Sequence, residues 1–317
     1  MKERPPLQGE FAPHENARIQ ETERRERMLR TEEDLAEEKD PTPKGPSNLR
    51  QRAITGVIYI AVTVACLMIG NVTTMLYVAA VAAICAGEFY YMLRRDAKLA
   101  NDIIGIAAAA LYPASTFFFG MVGPVYVTVV FVLAVTVWYV YWPRARLSEV
   151  GICLFGALYT GLFLSCLLMI RMSLDQPWGG VLALVIFVSV EFNDVAAYLV
   201  GSKIGKHKLA PRVSPKKSWE GFIAGLIVSM LIWCILVFIP GITISIPQAL
   251  IFGLICGAVG VMGDLCESRI KRSVGFKDSG TILPGHGGMF DRSDSLILAS
   301  VFAAVLLFAF GCIPLPL

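Results

Sequence analysis

The densest run of chemistry-bearing residues lies between Gly263 and Asp294, GDLCESRIKRSVGFKDSGTILPGHGGMFDRSD. Asp264, Ser268 and Lys271 are spaced i, i+4, i+7, so on a helix they share one face. Asp291 and Asp294 are spaced i, i+3 and share another. The connection between the two pairs holds Gly280, Pro284, Gly285, Gly287 and Gly288, a tight loop that can bring them together. Three aspartates then converge, with Lys271, Arg272 and Arg292 nearby. Carboxylates grouped with lysine suit a divalent cation and a phosphate: Mg2+ is a hard cation that takes carboxylate and phosphate oxygens, and Lys or Arg neutralises the remaining charge. The backbone N–H groups around Gly287 and Gly288 offer an anion cradle. His286 can hydrogen-bond a phosphate or move a proton.

A second cluster runs from Glu191 to Gly221, EFNDVAAYLVGSKIGKHKLAPRVSPKKSWEG. Asn193 and Asp194 sit toward the end of an apolar stretch, and Gly201 and Gly205 loosen the end of that helix. In Ser214-Pro215-Lys216-Lys217-Ser218, Pro215 suits the first position of a helix or turn, and an exposed helix N-terminus attracts anions. Lys216 and Lys217 then add charge for phosphate; a basic loop drawn to anionic lipid headgroups would look the same.

These residues must be positioned by membrane helices. The chain has 317 residues, 56% of them hydrophobic, while its first fifty are nearly all polar. Nine apolar spans are expected, near 53–70, 73–93, 103–120, 122–142, 151–170, 180–200, 221–239, 248–268 and 290–312. Each is long enough to cross about 30 Å of hydrocarbon. The boundary between the third and fourth rests only on a turn at Gly120 and Gly123. Lys and Arg collect in alternate loops, at Arg50 and Arg52, Arg94 to Lys98, Arg144 and Arg146, Lys203 to Lys217, and Arg269 to Lys277. This places the N-terminus and the chemistry in the cytoplasm and the C-terminus outside. Arg171 is the exception.

Residues 1–50 cannot bury enough apolar surface to order themselves, so a disordered cytoplasmic tail is expected, with a transient helix over 17–39. No cleavable signal peptide is apparent. The eight cysteines lie in or beside apolar runs and read as free thiols. The net charge of +3 sits in short loops and does not suggest nucleic-acid binding. Glu88 and Glu191, charged groups within spans, are costly there and therefore candidates for function or for pairing inside the bundle. Asp175 reads as a solvated loop residue.

Ser268, Lys271-Arg272, Lys277-Asp278, His286-Gly287-Gly288, Asp291-Arg292 and Asp294 together resemble the signature of the phosphatidate cytidylyltransferase (CDP-diacylglycerol synthase) family. The Ser-Pro-Lys-Lys-Ser-x-Glu-Gly stretch from Ser214 to Gly221 is also typical, with Ser218 where the family often has threonine. The resemblance covers residues 50–317 and implies an all-helical polytopic membrane enzyme of the cell membrane, often homodimeric. It implies that CTP and phosphatidic acid give CDP-diacylglycerol and pyrophosphate with Mg2+, K+ sharing a neighbouring site. Carried over by position, Asp264, Asp291 and Asp294 would be metal- and triphosphate-handling residues, and Lys271 would hold a phosphate. Substrate contacts would come from Asp194, Ser214, Lys216, Lys217, Ser218, Ser268, Arg272, His286, Gly287, Gly288 and Arg292. Two other classes compete: a related membrane enzyme, such as a lipid-alcohol phosphatidyltransferase or a polyprenol kinase, and a transporter. The phosphatidyltransferase usually carries a DGxxAR run, which is absent, and transporters often show repeated halves.

Overall fold

The computed structural model describes residues 46–94, 101–285 and 287–316. The tail expected over 1–50, apart from the backbone of its last residues, lies outside them, as do Arg95, Lys98 and His286. The elements are helices α1 (Pro46–Ile69), α2 (Asn71–Arg94), α3 (Asp102–Phe119), α4 (Gly123–Tyr141), α5 (Leu147–Ala157), α6 (Phe163–Met172) and α7 (Trp178–Ile204). A two-stranded ribbon comes next, β1 (Lys208–Ala210) and β2 (Ser214–Ser218), then α8 (Trp219–Trp233), α9 (Ile246–Ser273) and α10 (Phe290–Ala309).

Among the described residues, eight helical stretches are long and apolar enough to cross a membrane. One of them, Asp102–Tyr141, is 40 residues long, about twice what a single crossing needs. It breaks at Gly120, whose φ of 57° only glycine adopts readily, and α3 and α4 pack on one another as a hairpin. Leu147–Met172 is one stretch in which α5 and α6 are joined by a π-helical turn, Leu158–Leu162. Such turns insert one extra residue and rotate the faces on either side. Here the turn holds Tyr159 inside a ring cluster with Phe155 and Phe290.

Arg171, the basic residue on the wrong side of the charge pattern, is fully buried and not a loop charge. Its Nε donates to the Leu67 carbonyl in the last turn of α1 (3.3 Å). Gln176 Nε2 donates to Ile69 O (2.9 Å), and the Thr73 and Thr74 hydroxyls both donate to Cys66 O. The final carbonyls of a helix lack partners within it, and these side chains supply them where α1 turns into α2. Asp175 is exposed, as expected for a loop residue.

Helix α9 is the axis of the site-bearing half. Gly253 and Gly257 face Ser229 on α8, and Gly260 and Gly263 face Ser295 and Asp294 on α10. Helices in a bilayer associate through such small-residue seams, because packing and interhelical hydrogen bonds must replace the hydrophobic drive. Ser229 Oγ donates to Gly253 O (2.8 Å) and Asn193 Nδ2 to Gly257 O (3.0 Å), tying α8 and α7 to the same seam. A Cβ at Gly263 would run into the Asp294 carbonyl, so glycine there lets α10 close on α9 beside Asp264.

The Ser214–Ser218 stretch departs from the expected helix start. It is strand β2, paired antiparallel with β1 in the register Lys208↔Ser218 and Ala210↔Ser214. Pro215 lacks an N–H, but a two-stranded ribbon has only edge strands, where that is tolerated. The helix begins four residues later: Ser218 Oγ caps α8 by accepting from Gly221 N (3.2 Å).

Candidate active site

The ends of α2, α7 and α9 and the starts of α8 and α10 meet at one end of the bundle. Asp264, Glu267 and Asp294 converge there, with one carboxylate oxygen from each within 4.8 Å of the others. Asp264 and Glu267 share a face of α9 at i, i+3, and Asp294 is brought to them by the close approach at Gly263. Glu267 and Asp294 are buried, while Asp264 is about a quarter exposed, so the group opens at Asp264.

Lysines flank it on two sides. Lys271 Nζ lies 2.7 Å from Glu267 Oε2 and 2.7 Å from Asp291 Oδ1. Lys217 Nζ lies 2.5 Å from Asp264 Oδ2. Side chains alternate across a strand, so the ribbon separates its two lysines: Lys217 turns inward to Asp264 while Lys216 is exposed. Ser268 Oγ donates to Asp264 Oδ1 (3.2 Å) and fixes that carboxylate from the next turn of α9.

Asp291 lies outside that mutually close trio but beside it, against Glu267, with Lys271 between the two. Its oxygens accept from Lys271 Nζ, from Ser279 N (3.1 and 3.0 Å) and from Gly288 N (2.7 Å). The set gathered here is thus Asp264, Glu267 and Asp294, with Asp291 folding the α9–α10 connection onto Lys271. The Gly288 N–H serves Asp291, and Gly287 accepts from Leu283 N (3.0 Å). Gly285 and Gly287 take φ of 77° and 87°, which allow the chain to reverse there.

The other sequence candidates divide. Asp194 Oδ2 accepts from Ser295 Oγ (3.3 Å). With Glu191, Asp291, Arg292 and Asp294 it lines a cleft of about 300 Å³ whose apolar side is Val190, Val195 and Leu199. Ser218 is buried as the α8 cap and Ser214 is half-buried in the ribbon. Arg272 is exposed and its Nη1 reaches back to Phe276 O (3.4 Å), at the end of α9.

Two further carboxylates, both costly charges in or at the end of apolar spans, join the site. Glu267 is one; its signal was its spacing, i+3 from Asp264 and i−4 from Lys271. Glu88 is the other. It crosses from α2 to accept from Ser279 Oγ (3.0 Å), Met289 N (3.1 Å) and Phe290 N (2.8 Å).

Whether a divalent cation fits can be judged from the donors. Three carboxylate oxygens in one small space are the hard donor set such a cation prefers. Among the described residues, buried Glu267 Oε1 accepts from no donor, an expensive state for a carboxylate oxygen that a cation would relieve. The residues fit.

Fold and site define a polytopic membrane protein with carboxylates and lysines gathered at one end of its helices. The chain belongs to the Cytidylyltransferase family, whose profile matches residues 50–310. It is 30% identical over 269 residues to the phosphatidate cytidylyltransferase of Bacillus subtilis (strain 168), covering 83% of this chain and 99% of that one. Over 121 residues it is 44% identical to the enzyme of the same name from Staphylococcus haemolyticus, covering 38% of this chain and 46% of that one. Over 175 residues it is 39% identical to that from Brucella suis, covering 54% and 57%. Membership makes the chain a nucleotidyltransferase of CDP-diacylglycerol synthesis, and so of phospholipid synthesis.

Proposed function

We propose that the site transfers CMP from CTP to phosphatidic acid at the cytoplasmic surface of the cell membrane, with Asp264, Glu267 and Asp294 holding Mg2+ and the flanking lysines holding phosphate. The observation that carries this is the convergence of those carboxylates between Lys217 and Lys271. Mg2+, when bound, supplies positive charge to phosphate oxygens. K+ at a neighbouring position and association of two copies derive from the family resemblance and belong to the same proposal.

The chain's own residues do the rest. Lys217 is held at the mouth by Asp264, where it can pass to a triphosphate oxygen as the nucleotide enters. Lys271 is pinned between Glu267 and Asp291 and presents a fixed charge deeper in the site. Arg292 lines the cleft whose apolar wall is formed by α7, which suits a phosphate carried on acyl chains. A phosphate oxygen of phosphatidic acid forms a new bond to the α-phosphorus of CTP. The bond from that phosphorus to the bridging oxygen breaks, and pyrophosphate leaves with the electron pair. A phosphate monoester has its second pKa near about 6, so the nucleophile is already ionised near neutrality and no side chain needs to act as its base. Catalysis then consists of positioning and charge neutralisation.

Loop charge supports the orientation. Lys203 to Lys217 and Arg269 to Lys277 lie at the site's end of the bundle, and basic loops stay in the cytoplasm. With the hairpin at Gly120, the eight stretches make nine crossings among the described residues, which would put the C-terminus outside. The test is phosphatidate-dependent release of pyrophosphate from CTP by purified protein in detergent. Release that needs both the lipid and Mg2+ supports the proposal; no release by folded protein contradicts it.

A further inference from the structure

Helix α10 begins without a cap of its own. Its N-cap position is Met289, which has no side-chain acceptor, and no side-chain cap bond is made there. The N–H groups of a first helical turn need partners, and here they come from another helix. Glu88, on α2, accepts Met289 N–H on Oε1 and Phe290 N–H on Oε2. A carboxylate there also complements the positive end of the helix dipole. The next residue of α2 grips the same place by its ring: Phe89 lies edge-on to Phe290, centroids 6.2 Å apart, and Phe290 is fully buried.

The same carboxylate reaches the α9–α10 connection. Glu88 Oε2 accepts the Ser279 hydroxyl while Asp291 accepts the Ser279 N–H, so one loop residue is held by both carboxylates. A Cβ at Gly280 would strike the Glu88 carboxylate, and so would one at Gly288. The loop has closed around this group with no room to spare.

We infer that Glu88 is a positioning residue for the transfer reaction. It sets the start of α10, and with it Asp291 at the second helical position and Asp294 one turn on, against Asp264, Glu267 and Lys271. It touches no substrate and acts through Ser279 and the α10 backbone. The inference rests on the CMP-transfer function proposed above. Glu88 is otherwise a costly choice, because a buried carboxylate in a membrane helix needs several donors to be tolerated. All three donors it has among the described residues are on the segment that leads into Asp291 and Asp294.

The test is Glu88→Gln in full-length protein. Glutamine keeps the volume, but its NH2 end faces backbone N–H donors and cannot accept. The expected result is a fall in kcat of about tenfold or more, the scale of a small misplacement of reacting groups, with KM for CTP and phosphatidic acid within about twofold. Thermal unfolding should stay near that of the wild type, and backbone amides in residues 276–290 should exchange faster. Wild-type kcat in folded Glu88→Gln overturns the inference, as does unchanged exchange in that segment. If Glu88→Gln does not accumulate in membranes, Gly280→Ala carries the test. It should reduce kcat and speed amide exchange over residues 276–290, where Gly151→Ala, whose Cβ meets open space, should do neither; wild-type kcat or unchanged exchange in folded Gly280→Ala overturns the inference. Exchange reports on the cap without substrate, so failure of the cap and failure of CMP transfer are separable.

Discussion

Lys217 on the ribbon and Asp264 on α9 form an ion pair of 2.5 Å, linking two sequence clusters nearly fifty residues apart. The pair sits at the exposed edge of the carboxylate group, and the proposed mechanism uses its positive charge there for triphosphate. The neighbouring Lys216 has the same charge and is turned away by the pleat.

The two lysines should therefore behave differently. Lys217→Ala should lower kcat/KM for CTP by about a hundredfold, the loss of one charge-assisted contact to phosphate plus the release of Asp264. Lys216→Ala should stay within about threefold. Steady-state kinetics with CTP as the varied substrate checks this; equal losses would remove Lys217 from its special place.

The carboxylates should separate by their response to Mg2+. Asp264→Asn, Glu267→Gln and Asp294→Asn each remove an oxygen charge from the converging group. Each should raise the Mg2+ concentration for half-maximal rate by about tenfold or more, or abolish turnover. Asp291→Asn should abolish or nearly abolish turnover through loss of its hold on Lys271 and the loop, while the protein stays folded. Mg2+ titrations of the four variants measure the difference, and near-normal activity in Asp291→Asn would contradict its role.

Gly263 should tolerate nothing larger. Its Cβ would meet the Asp294 carbonyl, which is backbone and has little freedom to move. Gly263→Ala should cost about 1–3 kcal/mol in stability, the usual range for overpacking, and reduce kcat more than the same change at Gly151, whose Cβ meets open space. Unfolding and activity of the two variants in one detergent decide it.

Arg171 gives a prediction in the stability of the far end. It is fully buried, yet two of its guanidinium nitrogens have no hydrogen-bond partner among the described residues. A buried charge so poorly matched contributes little net stability, while its aliphatic stem fills space. Arg171→Met should be neutral or stabilising, and Arg171→Ala should cost about 2–4 kcal/mol. A large loss in Arg171→Met would mean that the charge itself holds α1 in place.

The helices were legible because apolar runs of membrane length leave little choice of structure, and the break at Gly120 was legible as a turn. The approach of Asp264 to Asp294, and of Lys271 to Asp291, was legible from helical spacing and a glycine-rich loop. Three things were not. Glu88 and Phe290 are 202 residues apart, and their contact depends on how α2 packs on α10, which spacing cannot reveal. Strand β2 is made of Ser, Pro and Lys, which favour strands poorly, and its pairing with β1 fixes it. Arg171 looked like a misplaced loop charge because burial is a property of packing and not of hydropathy.

The most direct measurement compares two labels in the same reaction: CTP labelled at the α-phosphate and CTP labelled at the γ-phosphate, each with phosphatidic acid, Mg2+ and purified protein. The CMP-transfer mechanism predicts α-label in the lipid phase, γ-label in aqueous pyrophosphate, and loss of both on adding EDTA. The γ-label in lipid, or neither label leaving CTP with folded protein, would contradict it.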